Sequence, residues 1–199
     1  QLSVFTLGSS SAASVLYKRQ VVFVGGLSPR VEGEEMPVNE PGFKGGDRTD
    51  IELPAAQRSL VALLHKAGKK VVFVNCSGSA VALVPEAQHC EAVLQAWYGG
   101  EQGGRAVAEI LFGDCNPSGK LPVTFYSSTN QLPDYEDYSM AGRTYRYLTE
   151  QPLFSFGFGL SYTTFAFSGL KVKKQGNDVV VSVNVKNTGR TAGKQVAQV

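Results

Sequence analysis

Residues 21–24 and 71–74 carry the same four letters, VVFV, within the segments QVVFVGG (20–26) and KVVFVNC (70–76). Both runs are continuously apolar rather than alternating, which is typical of strands buried on both faces in a parallel sheet covered by helices. The stretch LPAAQRSLVALLHKAGKK between them predicts an amphipathic helix that begins near Pro54 and ends at Gly68, with Leu60, Leu63 and Leu64 on one face. This strand–helix–strand order predicts an α/β layer architecture with both VVFV runs as inner strands.

The periodicity of the sequence changes near residue 165. From there LKVKKQGNDVVVSVNVKNTG (170–189) alternates apolar and polar residues around a QGND turn, which predicts a β-hairpin of an antiparallel sandwich. We therefore predict an α/β domain over residues 1–164 and the beginning of an all-β sandwich over 165–199, since ~35 residues cannot close a sandwich of ~100. The last letters, KQVAQV, stop inside a predicted strand, and we expect the chain to be a piece of a longer polypeptide.

Composition excludes several classes of function. The net charge of +2 is too small to capture nucleic acid, and no Lys- or Arg-rich run is present. Apolar runs such as AVLQAWY fall far short of the ~20 residues that span a bilayer. The first 20 residues lack a starting Met, a basic start and a continuous apolar core, so they do not predict a signal peptide. We therefore expect neither a nucleic-acid partner nor a membrane partner.

The sequence also predicts no metal site and no cofactor. The three cysteines, at 76, 90 and 115, show no CxxC spacing, and His65 and His89 are isolated in the sequence. The glycine-rich stretches contain neither GxGxxG nor GxxxxGK, so they predict tight turns rather than a phosphate loop. The stretch CSGSA (76–80) lacks the GxSxG spacing of a hydrolase nucleophile.

Three carboxylates follow the first VVFV run in the loop GGLSPRVEGEEM (25–36), namely Glu32, Glu34 and Glu35. In open α/β sheets ligands bind at the carboxyl ends of strands, and Gly25 and Gly26 permit a sharp turn at this end. The connection from Glu32 to residue 50 is far longer than the ~2–6 residues that usually join a strand to a helix, which indicates a functional loop. The spacing fits a merely solvated acidic surface loop equally well.

Taken in order, the motifs resemble those of glycoside hydrolase family 3. They are GLSPRVEGEEM, GFKGGDRTDIELPAAQ, KKVVFVNCSGSA, AWYGGEQGGRAVAEILFGDCNPSGKLPVTFY, RTYRY and PLFSFGFGLSY. The resemblance covers nearly everything from Gln20 onward, whereas residues 1–19 match poorly. It implies the family's C-terminal α/β-sandwich domain, followed by the start of its fibronectin type III-like domain, an immunoglobulin-like fold. The acidic loop is most similar to that of β-xylosidase-like members, and second most similar to that of β-glucosidase-like members.

The resemblance implies a retaining exo-β-glycosidase acting on terminal β-linked sugars of oligosaccharides. In that family an Asp nucleophile comes from an N-terminal (β/α)8 barrel, and a Glu of this domain is the general acid/base. Glu32 best matches the acid/base position, and Glu34 and Glu35 are the alternatives. The barrel and its Asp are not in this sequence, so we expect the chain alone to be inactive. Family members are commonly secreted or periplasmic. The competing hypothesis is a catalytically silent carbohydrate-binding or scaffolding fragment.

Overall fold

The structure is a computed structural model that describes residues 19–32 and 36–198, together with the backbone of residues 2–5. Its strands are β1 (Leu2–Phe5), β2 (Gln20–Gly26), β3 (Phe43–Lys44), β4 (Asp47–Arg48), β5 (Lys70–Cys76), β6 (Ala92–Gln95), β7 (Phe165–Gln175) and β8 (Asp178–Asn187). Its helices are α1 (Pro29–Glu32), α2 (Ala55–Lys66), α3 (Val84–His89), α4 (Gly103–Phe112) and α5 (Thr144–Tyr147), with a 3₁₀ turn at Thr129–Gln131. Within the described residues, no helix has the length and apolar character needed to cross a bilayer.

The chain divides into two compact units. One comprises Gln1–Gly104 with Val123–Phe156, and the other comprises Arg105–Pro122 with Gly157–Val199. The predicted division into domains at 164/165 stays a prediction.

The first unit is built on a four-stranded parallel sheet in the order β1-β2-β5-β6. The two VVFV runs lie side by side in its centre, with Val21 opposite Val71 and Phe23 opposite Phe73. The two phenylalanine rings stack with their centroids 5.3 Å apart, and both are 1% exposed or less. The prediction that both runs are inner strands of a mostly parallel sheet, and with it the α/β class, is confirmed.

Helix α2 covers this sheet. Its buried side chains are Gln57, Val61 and Leu64, which are spaced i, i+4 and i+7 and therefore share one face. Leu63 is 63% exposed, so its predicted place on the buried face was wrong. The reason is geometric: two residues beyond Val61 the helix has turned by more than half a circle, and Leu63 points away from the sheet.

The sequence predicts that α2 ends at Gly68, and the helix ends two residues earlier, at Lys66. A Schellman motif at Gly68 closes the helix. Gly68 adopts a φ of +67°, its N–H donates to the carbonyl of His65 at 2.9 Å, and the N–H of Lys69 donates to that of Leu64 at 3.0 Å. This turn returns the chain directly into β5.

The second unit contains the predicted hairpin, in which β7 and β8 pair antiparallel and Gln175 faces Asp178. Gly176 forms the turn with a φ of +62°. In the same unit Asn116 ties two loops together. Its side-chain oxygen accepts from the hydroxyl of Ser161 and the N–H of Tyr162, and its amide donates to the carbonyl of Ala192.

Candidate functional site

The turn at the end of β2 aims the acidic loop. Gly26 has a φ of +124°, and a Cβ there would lie 2.0 Å from the carbonyl oxygen of Cys76 on β5. The buried amide of Gln57 locks this turn, since it accepts from the N–H of Gly26 at 2.8 Å and donates to its carbonyl at 2.7 Å. The chain then forms α1, where the carbonyl of Ser28 accepts from the N–H groups of Val31 and Glu32, each at 2.9 Å. The start of the loop is therefore fixed by side-chain and backbone bonds.

Glu32 receives a hydroxyl on each carboxylate oxygen. Ser79 donates to its Oε1 at 2.8 Å, and Tyr98 donates to its Oε2 at 2.5 Å. The three residues follow the carboxyl ends of three neighbouring parallel strands, β2, β5 and β6. This edge is where open α/β sheets bind their ligands, so the contacts bring together the elements that the sheet topology predicts for a site.

The hydroxyl of Tyr98 lies between two acceptors. One is Oε2 of Glu32, and the other is the carbonyl oxygen of Leu27, at 2.7 Å. A hydroxyl has a single hydrogen. When Glu32 is ionised, Tyr98 donates to the carboxylate. When Glu32 is protonated, the acid donates to Tyr98 and the Tyr98 hydrogen turns to Leu27. The same two contacts therefore hold Glu32 in both of its charge states.

Tyr98 itself keeps its proton. Burial, and after it the hydrogen bond and charge of Glu32, raise the pKa of Tyr98 to about 12. Tyr98 is thus a neutral hydrogen-bonding partner at neutral pH.

Two backbone features make room for this arrangement. A Cβ on Gly78 would lie 2.7 Å from the Tyr98 ring and 2.8 Å from Oε2 of Glu32, so no larger residue fits at position 78 without moving the pair. Trp97, directly before Tyr98, has a φ of +56°, a conformation that non-glycine residues rarely adopt. Its ring packs edge-on against Phe125 with centroids 6.0 Å apart, which holds the strained residue in place.

Arg48 supports the site from behind Ser79. Its Nη1 donates to the Ser79 hydroxyl at 3.0 Å and to the carbonyl of Ala80 at 3.3 Å, and its Nε donates to the carbonyl of Asp50 at 3.1 Å. Burial lowers the pKa of Arg48, and the charges of Glu32 and Asp50 act in the opposite direction. Ser79 therefore accepts a hydrogen bond from the Arg48 cation and donates one to the Glu32 carboxylate. One neutral hydroxyl links the two charged groups.

The structure describes one of the three predicted site residues. Glu32 lies in the hydroxyl cluster just described, whereas Glu34 and Glu35 lie outside the described residues. Sequence reasoning missed Ser79, Tyr98 and Arg48 as its partners. A signal was present for the first two, because Ser79 sits in the glycine-containing stretch CSGS directly after the second VVFV strand, and Tyr98 sits in the glycine-containing stretch WYGG.

The two histidines are isolated in the sequence but not in the structure. The rings of His65 and His89 stack with centroids 4.6 Å apart. In the described ranges, no group of three or more His, Cys, Asp or Glu side chains could hold a metal ion.

The chain is similar to known proteins over most of its length. Residues 8–162 match the family described as the glycosyl hydrolase family 3 C-terminal domain. Over 181 residues the chain is 58% identical to a xylan 1,4-beta-xylosidase of Xylanibacter ruminicola, covering 90% of this chain and 21% of that protein. A periplasmic beta-glucosidase of Salmonella typhimurium is 41% identical over 171 residues, covering 78% of this chain and 22% of that protein.

The solved structures extend the likeness to the fold. The beta-glucosidase of Kluyveromyces marxianus in complex with glucose superposes with a TM-score of 0.74 at 32% identity, covering 89% of this chain and 22% of that one. A b-glucosidase of Erythrobacter marinus superposes with a TM-score of 0.73 at 39% identity, covering 91% of this chain and 24% of that one. The chain spans only about a fifth to a quarter of the length of these relatives. The resemblance predicted from the motifs is confirmed, and the chain belongs to glycosyl hydrolase family 3, matching its C-terminal domain.

Proposed function

We propose that this chain is the acid/base-carrying half of a retaining exo-β-glycosidase, and that Glu32 is the general acid/base. The single observation that carries the proposal is the pair of neutral hydroxyls on Glu32, from Ser79 at 2.8 Å and Tyr98 at 2.5 Å. A residue that acts first as acid and then as base must be stable with and without its proton. The Tyr98 hydroxyl supports both forms by turning between Glu32 and Leu27.

The reaction divides between this chain and a partner domain. A nucleophilic Asp on an N-terminal (β/α)8 barrel would attack the anomeric carbon while Glu32 gives its proton to the departing glycosidic oxygen. Glu32, now ionised, would then remove a proton from the water that hydrolyses the glycosyl-enzyme. The barrel is a proposed part of the longer protein, and without it this chain would be inactive. Residues 165–199 would begin a fibronectin type III-like domain that follows residues 1–164.

The substrate class follows from the relatives' names. A terminal β-linked xylose is our first choice, because the relative that is 58% identical is a xylan 1,4-beta-xylosidase. A β-glucosidase activity is the alternative, supported by the Salmonella relative. The name of that relative also supports a secreted or periplasmic location.

The test is Glu32→Gln in the full-length protein that contains this chain. General acid/base help is typically worth ~10²–10⁴-fold, so hydrolysis of xylobiose or cellobiose should fall by about that factor. An aryl glycoside with a good leaving group hardly needs the proton, so formation of its glycosyl-enzyme should suffer less. Added azide, which attacks the glycosyl-enzyme without base help, should restore turnover and yield a glycosyl azide.

Matched variants Glu34→Gln and Glu35→Gln serve as controls for the choice of residue. Azide rescue at either of them, with Glu32→Gln near wild type, would move the acid/base role to that position. Absence of rescue in all three would favour the catalytically silent, carbohydrate-binding alternative.

A further inference from the structure

Three polar side chains form a cluster at the base of the turn that carries Ser79, within the first compact unit. They are Asn75 on β5, Gln95 on β6 and Ser77 just beyond β5, and they are called the amide cluster below. Asn75 and Ser77 are fully buried, and Gln95 is half-buried. Asn75 and Gln95 are register partners on the two strands, and Nδ2 of Asn75 donates to Oε1 of Gln95 at 2.6 Å. None of the three has a role in the site described above.

The amide cluster fixes the direction of the Ser77 hydroxyl. Its oxygen accepts from Nδ2 of Asn75 at 3.1 Å and from Nε2 of Gln95 at 3.2 Å. A hydroxyl has two acceptor lone pairs and one hydrogen. Because both lone pairs are used, the hydrogen goes to the carbonyl oxygen of Ser79, at 2.8 Å. Ser77 therefore links the two amides, in one direction, to the residue that donates to Glu32.

Packing alone does not account for an amide at position 75. The Oδ1 atom of Asn75 is buried and has no hydrogen-bond partner among the described residues. A buried acceptor without a partner is destabilising, and an apolar side chain would avoid that cost. What the amide contributes is the pair of hydrogen bonds that its Nδ2 donates, which points to a role in the turn beyond the strand.

The same amides join the strand ends from which both hydroxyl donors to Glu32 originate. Ser79 lies four residues after Asn75, and Tyr98 lies three residues after Gln95. Besides the bond between the two side chains, the backbone N–H of the residue after Gln95 donates to the carbonyl of Asn75 at 2.9 Å. The ends of β5 and β6 are therefore tied together at the point where the two loops leave the sheet.

We propose that the amide cluster of Asn75, Ser77 and Gln95 positions the general acid/base. It acts on Glu32 through Ser79, because it holds the backbone of Ser79 so that the hydroxyl meets the carboxylate. The three side chains are positioning residues and contact neither the sugar nor the reacting atoms. The inference rests on the role proposed for Glu32.

The experiment measures kcat/KM of the full-length enzyme on two substrates with the same terminal sugar. Xylobiose needs a proton on its departing oxygen, whereas an activated aryl β-xyloside hardly needs one. Ser77→Ala removes the bond to the Ser79 carbonyl, and Gln95→Met removes the amide but keeps the length of the side chain. From the usual net worth of a neutral hydrogen bond, each variant should lose about two- to ten-fold with xylobiose and little with the aryl xyloside. Should glucose be the terminal sugar, cellobiose and an activated aryl β-glucoside replace the pair.

A double variant tests whether the effect passes through Ser79. Ser79→Ala should lose at least as much activity on xylobiose as Ser77→Ala does. Adding Ser77→Ala to Ser79→Ala should then cost little more, because no hydroxyl is left to position. The matched control is Thr163→Val, which removes a buried hydroxyl that donates to Asn187 at 2.7 Å in the other compact unit, and it should change neither substrate.

A merely structural role would lower the amount of active enzyme and so reduce both substrates equally. Equal losses on the two substrates, or losses of Ser77→Ala and Ser79→Ala that simply add, would overturn the proposal. Gln95→Met, at a half-buried position, keeps the test decisive where Ser77→Ala folds poorly. If Glu32→Gln is impaired and rescued by azide while the cluster variants match wild type, only this inference fails. If Glu32→Gln hydrolyses xylobiose like wild type, the role proposed for Glu32 fails and the inference fails with it.

Discussion

Glu32 and Glu86 are carboxylates of the same compact unit, and their partners differ in charge. Glu32 is half-buried and is held by the hydroxyls of Ser79 and Tyr98. Glu86 on α3 is fully buried and faces the guanidinium of Arg58, whose Nε lies 3.2 Å from Oε1 and whose Nη2 lies 3.4 Å from Oε2. A guanidinium can only donate, whereas a hydroxyl can donate to a carboxylate or accept from the acid.

We expect this difference to separate a carboxylate that maintains the fold from one that serves the chemistry proposed for Glu32. Arg58 also pairs with Glu52 and donates to the carbonyl of Ala82 at 2.8 Å, so it joins the start of α2 to the segment before α3. Hydrogen bonds with Glu52 and Glu86 raise the pKa of Arg58 against the opposing effect of its burial. The guanidinium of Arg48 is joined to Glu32 through the hydroxyl of Ser79. The contrast predicts that changes at Glu86 affect stability and changes at Glu32 affect chemistry.

The largest effect on stability should come from Arg58→Met. The substitution leaves the carboxylate of Glu86 buried without its cation, and removing one partner of a buried ion pair typically costs ~3–5 kcal/mol. We expect a fall of that size in the free energy of unfolding, measured by urea denaturation followed by circular dichroism.

Two further variants define the cause of that loss. Arg105→Met breaks an exposed ion pair with Glu109, and it should change stability little. The double variant Arg58→Met/Glu86→Leu removes the buried charge as well, so it should recover much of the loss. A double variant as unstable as Arg58→Met alone would mean that packing, rather than the unpaired carboxylate, makes Arg58 important.

A smaller effect is expected from Tyr98→Phe in the full-length enzyme. Hydrogen bonds to charged groups are worth about 1.5–3 kcal/mol, so kcat should fall about ten- to hundred-fold. Ionised Glu32 also loses a charge-assisted donor, which is worth more than the neutral hydrogen bond that its acid form would make to Tyr98. The basic limb of the pH profile of kcat/KM should therefore move to higher pH.

The matched control is Tyr162→Phe, which removes a hydroxyl that donates to the carbonyl of Ile110 at 2.8 Å and to no carboxylate. It should leave the pH profile unchanged. If Tyr98→Phe lowers activity without moving the profile, Tyr98 supports the loop through Leu27 alone.

The sequence was sufficient for the features that depend on local pattern. The VVFV strands, the hairpin at 175–178 and the position of Glu32 after a strand all follow from periodicity and turn residues. The partners of Glu32 could not be predicted, because Ser79 lies 47 residues away and Tyr98 lies 66 residues away. Their meeting depends on the strand order β2-β5-β6, which no local pattern encodes. The place of Leu63 was wrong for a related reason, since an amphipathic helix with several leucines leaves open which of them face the sheet.

The smallest expected effect concerns the reactivity of Cys90. The charge of Glu86, the carboxylate that pairs with Arg58, acts on the thiol of this residue. Burial, and after it the charge of Glu86, raise the pKa of the Cys90 thiol from 9.0 to about 12. The fold thus favours the neutral thiol, so this contribution to stability is complete below pH 9 and is lost as the pH rises from 9 to 12.

Since the thiolate is the nucleophile, Cys90 should react with iodoacetamide at pH 9 far more slowly than the exposed Cys115, as followed by mass spectrometry in wild type and in Cys115→Ser. Glu86→Gln removes the nearby negative charge and should accelerate Cys90 modestly, whereas Glu32→Gln should not. If Glu32→Gln accelerated Cys90 as much as Glu86→Gln did, the two carboxylates would not be the separate environments that their partners indicate.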